Sequence, residues 1–106
     1  MSKKEERAFF SQLIRVMKHI IKWFTEPVKR SKSWSKSIQN GRIELRVMHK
    51  KNPRFNKNYV SQKWGTAFDK ATKEAEKEMQ QKSSVDQLTE KQVFEDQYDL
   101  NNFNKK

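Results

Sequence analysis

The sequence predicts an α+β fold: an amphipathic N-terminal helix, a small antiparallel three-stranded sheet, a second helix, and a weakly helical acidic tail. Three observations carry that expectation. Residues 9–24 sort with a helical period, residues 31–47 and 58–64 alternate with a period of two, and Asn40-Gly41 divides the first alternating stretch as a hairpin turn would.

The first helix is read from AFFSQLIRVMKHIIKWF. At about 100° per residue, Phe9, Phe10, Leu13, Ile14, Val16, Met17, Ile20, Ile21, Trp23 and Phe24 fall in one arc of about 180°. Ser11, Gln12, Arg15, Lys18, His19 and Lys22 fill the other side. The helix is expected to begin between Ser2 and Glu5, where Glu5 and Glu6 suit its positive end, and to stop near Thr25 ahead of Pro27.

Ser31, Ser33, Ser35 and Ser37 then alternate with Lys32, Trp34, Lys36 and Ile38. Both Asn40 and Gly41 tolerate the positive φ of a type I′ turn, and a two-residue turn there would pair Ile38 with Ile43 and Trp34 with Val47. Trp34, Ile38, Ile43, Leu45 and Val47 would share one face. The alternative is a helix over residues 27–40 capped by Gly41, but propensity and alternation favour the hairpin. After a polar loop from His49 to Arg54, Val60 and Trp64 alternate with Tyr59, Ser61 and Lys63 as a third strand. Thr66 and Asp69 have capping-box spacing, so a helix is expected from there to about Lys82. Phe68, Ala71, Ala75 and Met79 form its stripe, and Lys70 with Glu74 and Glu78 with Lys82 its surface pairs.

Residues 1–82 are therefore expected to form a single small basic domain, and residues 83–106 an acidic tail, partly helical or disordered. Val85, Leu88, Phe94 and Tyr98 in that tail do not line up as one stripe. Of the 106 residues, 35% are charged and 33% hydrophobic, which leaves material for one modest core.

The net charge of +11 is unevenly placed. Residues 1–64 hold 17 Lys and Arg against 4 Asp and Glu (+13), whereas residues 65–104 hold 5 against 9 (−4). A field of this kind attracts nucleic acid, an acidic protein or an anionic membrane surface. The absence of cysteine excludes disulfides and thiol chemistry and suits a cytoplasmic protein. Arg15, Lys18 and Lys22 break the only long apolar run, well short of the roughly 20 residues a spanning helix needs.

No catalytic, metal or cofactor pattern is present: His19 and His49 stand alone, and two glycines cannot build a phosphate-cradling loop. A non-enzymatic protein without cofactor is expected. The constellation that carries chemistry is Arg42, Arg46, Lys50, Lys51, Arg54, Lys57 and Lys63, interleaved with Trp34, Phe55, Tyr59 and Trp64. Cations neutralise phosphates and release counterions, while aromatic faces stack on bases. Trp34 and Trp64 suit a core, whereas Phe55 and Tyr59, in or beside the basic loop, are the stacking candidates. The candidate nucleic-acid-binding residues are thus Arg42, Arg46, Lys50, Lys51, Arg54, Phe55, Lys57, Tyr59 and Lys63.

Three strands followed by GTAFDKATKEAEKEM resemble the small DNA-binding domains of arm-binding tyrosine integrases and of plant AP2 factors. Gly65, Phe68, Thr72, Glu74 and Ala75 carry the resemblance, over about residues 42–79, with Ala67 and Lys70-Ala71 as insertions. It implies a sheet lying in the major groove, with Arg42, Arg46 and Lys63 toward DNA. The order α-β-β-β-α is also similar to double-stranded-RNA-binding domains, although Thr66-Ala67-Phe68-Asp69 replaces their lysine-rich helix start. The expected function is that of a nucleic-acid-binding accessory protein contacting mainly phosphate. The alternative is a peripheral membrane, assembly or inhibitor protein that uses the apolar arc of the first helix. The acidic tail is further expected to fold back on the basic surface.

Overall fold

The computed structural model describes residues 3–100. Helix α1 spans Lys3–Thr25, close to the bounds expected from its acidic start and from Pro27. Its apolar arc forms the spine of the core, with Phe9, Leu13, Val16, Met17, Ile20, Ile21 and Trp23 all buried.

The predicted three-stranded sheet is absent; the described residues contain helices and no strand, so the α+β expectation is corrected to an all-helical fold. The stretch expected to form a hairpin is helix α2, Lys32–Lys51. What decides its state is a stripe that the serine alternation hides. Trp34, Ile38, Gly41, Leu45 and Met48 recur at steps of four and three residues, the spacing of one helix face. Ser31 caps this helix by accepting a hydrogen bond from the Trp34 N–H at 3.2 Å.

Asn40-Gly41 makes no turn. Gly41 is buried inside α2, where a Cβ would stand 2.5 Å from Val16 Cγ2, so its lack of a side chain lets α2 approach α1. Ile43 and Val47, expected beside Leu45 on one face, point outward and are 47% and 41% exposed. The alternative helix over residues 27–40 lies nearer the outcome, but Gly41 does not cap it, and Pro27–Lys29 forms a separate 3-10 turn.

The predicted third strand opens helix α3, Lys57–Met79. Its cap is Asn56, which accepts from the Tyr59 N–H at 2.9 Å, and Thr66 lies well inside the helix. Val60, Ala67, Ala71, Ala75 and Met79 are buried on one side of α3, and the small alanines permit close packing on α1. The helix ends at Gln80, whose φ of 57° is left-handed, rather than at Lys82. Glu74 and Glu78, expected to pair within the helix, reach α1 instead. Glu78 binds Lys22 and, at 2.9 Å, Lys18; Glu74 lies 3.6 Å from Lys18.

Phe9 stacks on Phe55 at 4.4 Å and meets Tyr59 edge-on at 5.7 Å, while the far end of α1 meets Trp34 and Glu78 through Lys22. Consequently α2 runs antiparallel to α1 and α3 parallel to it. Both pack on α1 more than on each other. The space between them is filled by the C-terminal segment, including a short helix α4, Glu90–Phe94, with a complete Thr89/Gln92 capping box. Leu88, Val93 and Tyr98 are buried in the same core as α1. Trp64 Nε1 donates to the Leu88 carbonyl at 2.9 Å, and the Tyr98 ring meets Trp23 and Phe24 edge-on at 5.9 and 5.8 Å.

Among the described residues no helix is long and apolar enough to cross a membrane.

Candidate functional site

Helical geometry assigns the charges of α2 to sides. With Trp34, Ile38, Gly41, Leu45 and Met48 inward, Lys32, Lys36, Arg46, Lys50 and Lys51 emerge on the outer surface, continued by Arg54 and Lys57 after the helix. All seven are exposed, and none forms a salt bridge with a described residue. Glu44 is the one acid between Lys32 and Lys57. Lys32 and Lys36 were outside the predicted set; helical spacing, once α2 is read as a helix, is the signal that finds them.

Arg42 takes a different role. Its Nε donates to the Val93 carbonyl at 2.7 Å and its Nη2 to the Gln92 carbonyl at 3.1 Å, with the guanidinium 5.5 Å from the Tyr98 ring. Burial lowers its pKa, though a guanidinium stays charged. Tyr98 donates to the same Gln92 carbonyl at 2.8 Å, filling both of that oxygen's acceptor positions. Burial, followed by the nearby Asp96 charge, pushes the Tyr98 phenol up to about 12. Arg42 therefore fastens the C-terminal segment to α2.

The two aromatic candidates are also occupied. Phe55 is buried with one face on Phe9, and Tyr59 is packed edge-on between Phe9 and Phe55, with Lys63 Nζ 5.6 Å from its ring centre. Burial raises the pKa of Tyr59. Both rings are held within the packed structure and are not displayed from the basic loop as expected, although each lines a cleft.

Four of the nine predicted residues, Arg42, Arg46, Phe55 and Lys57, meet at one cleft of about 370 Å³. Its floor is Phe9, Leu45, Phe55 and Val60, and it is closed by Glu90 and Phe94 of α4 and by Glu95 just after it. His49 stands beside it, its Nδ1 donating to the Phe55 carbonyl at 2.7 Å. Tyr59 and Lys63 line a separate cleft of about 420 Å³ with Phe10 and Lys70. Lys50, Lys51 and Arg54 line neither cleft and stand on the open surface. His49, Phe94, Glu90 and Glu95 were not foreseen at a site, because nothing in their spacing links residues 90–95 to α2.

An α1-centred helical core, closed by its own C-terminal segment and bearing a basic outer helix, defines a small all-helical domain. Residues 1–103 match the family described as domain of unknown function DUF29, and the chain belongs to that family. No curated protein and no solved structure gives a match.

Proposed function

We propose that this domain is a non-enzymatic nucleic-acid-binding accessory module that holds phosphate backbone on the outer face of α2 and the loop after it. The observation that carries this reading is the row of seven exposed cations from Lys32 to Lys57, none in a salt bridge with a described residue and interrupted by a single acid. Such a row neutralises successive phosphates and displaces their counterions. The sheet that motivated a major-groove reading is absent, so the contact surface is a helix face. The apolar arc that motivated a membrane reading is covered by α2, α3 and residues 85–98, which favours the basic face over α1. The cytoplasm is the compartment this reading assumes.

A second reading draws on one observation. Ile43 and Val47 are exposed in the middle of the basic face, a combination that also suits an acidic protein partner with apolar side chains.

Fluorescence anisotropy with duplex DNA, duplex RNA and single strands over a salt series tests the proposal. Affinity should fall steeply with salt, and charge reversal at Arg46, Lys50, Lys51 and Arg54 should weaken binding by about tenfold or more and flatten the salt slope. Reversal at Lys73 and Lys77 on α3 should change little. Affinity indifferent to salt would sink the phosphate reading; loss of binding from Ile43→Ser with Val47→Ser alone would favour the protein partner.

A further inference from the structure

The cleft beside α2 has two unlike rims across an apolar floor. Arg46 and Lys57 form one rim and continue directly into the basic face, whereas Glu90 and Glu95 form the other. No salt bridge joins the two rims. The floor is dominated by Phe9, Leu45, Phe55 and Val60, all buried, with Phe94 beside them. Its volume of about 370 Å³ lies within the range of small-ligand pockets.

The three surfaces together suit a ligand with an anion at one end, an apolar body, and hydrogen-bond donors at the other end. We propose that the cleft receives an unpaired base of single-stranded nucleic acid, whose phosphate lies on Arg46 and Lys57 and whose exocyclic amino group donates to Glu90 or Glu95. This rests on the phosphate-binding reading and adds the class of strand. In a duplex the base edges are paired and stacked inward, so only an unpaired base can enter. A glutamate accepts from the amino group of cytosine, while thymine presents a carbonyl and a methyl at the corresponding places. Carboxylates on the inner rim also repel phosphate and so set the direction in which the nucleotide enters.

The test uses the full chain with labelled oligodeoxycytidine, oligodeoxythymidine of equal length, and a duplex. Oligodeoxycytidine should bind about tenfold tighter than the duplex, within what stacking one base contributes, and several-fold tighter than oligodeoxythymidine. Both acids are exposed, so Glu90→Ala with Glu95→Ala should keep the fold and abolish the cytosine preference while leaving salt dependence in place. Equal affinity for the three nucleic acids would overturn the inference but spare the phosphate reading. Failure of all three to bind would instead remove the phosphate reading. The cleft is then judged separately by titrating deoxycytidine monophosphate and inorganic phosphate while following backbone amide resonances. The nucleotide, and not phosphate, should shift Asn56, Val60 and Phe94; identical shifts from phosphate, or none from either, would overturn the cleft assignment.

Discussion

Two glycines in helices have opposite roles, and substituting each separates local propensity from packing. Gly65 has nothing within 4 Å of a Cβ position, so Gly65→Ala should stabilise the protein by about 0.5–1 kcal/mol through helix propensity alone. At Gly41 the same propensity gain meets Val16 Cγ2 at 2.5 Å. Because Val16 is stiff at χ1 and fully buried, relief requires α1 and α2 to move apart. Gly41→Ala should therefore destabilise by about 1–2 kcal/mol net, and Val16→Ala in the same chain should recover part of that loss. Urea titrations of the three variants beside the parent read both effects. Gly41 also shows why the residue scale misled: Asn-Gly is a strong turn signal locally, yet the Val16 contact that needs a missing Cβ is invisible along the chain.

Element by element, legibility followed the width of the apolar face. The ten large apolar residues of α1 leave one period possible, and its bounds were readable. In α2 the inward stripe contains only Trp34, Ile38, Leu45 and Met48 around a glycine, and the serines between them alternate in a way that mimics a strand. In α3 Val60 and Trp64 fit either period, and the alanines that settle the matter begin only at Ala67. The charges joining elements were also unreadable, since Glu78 lies far from Lys18 and Lys22 in sequence. Burial raises the Glu78 carboxyl, but hydrogen bonds and charge from Lys22 and Lys18 outweigh it and hold the pKa below its ordinary value. A carboxylate depressed in the folded state contributes stability above its unfolded pKa of about 4.3, and that contribution is lost as pH falls through the lower folded value. Glu78→Gln should be less stable than the parent at neutral pH, and the difference should shrink below about pH 4. Thermal melts from pH 7 to pH 3 check the sign, and a gap that widened on acidification would remove the α1–α3 clamp.

On the scale of the whole molecule, residues 9–79 and 88–98 contribute to one core cluster, so the basic body and acidic C-terminal segment should unfold together. Urea transitions followed by helix circular dichroism and by tryptophan fluorescence should coincide. A chain ending at Lys82 should lose cooperativity, because it uncovers Trp23 and Trp64 and removes Leu88, Val93 and Tyr98. Sequence reasoning recovered the charge division between the two regions, since charge is additive along a chain. It did not recover how they meet, because Arg42 binds carbonyls of Gln92 and Val93, and backbone acceptors leave no trace in residue identity.

The central position of α1 has a consequence for biosynthesis. This helix leaves the ribosome before both helices that flank it and well before Tyr98, the residue that covers Trp23. Its apolar side is therefore covered in stages, by α2, then by α3, and completely only once more than seventy further residues have been made. A stalled or truncated nascent chain would present that side to the cell, so translation pauses between α3 and α4 should be where this protein is most prone to aggregate.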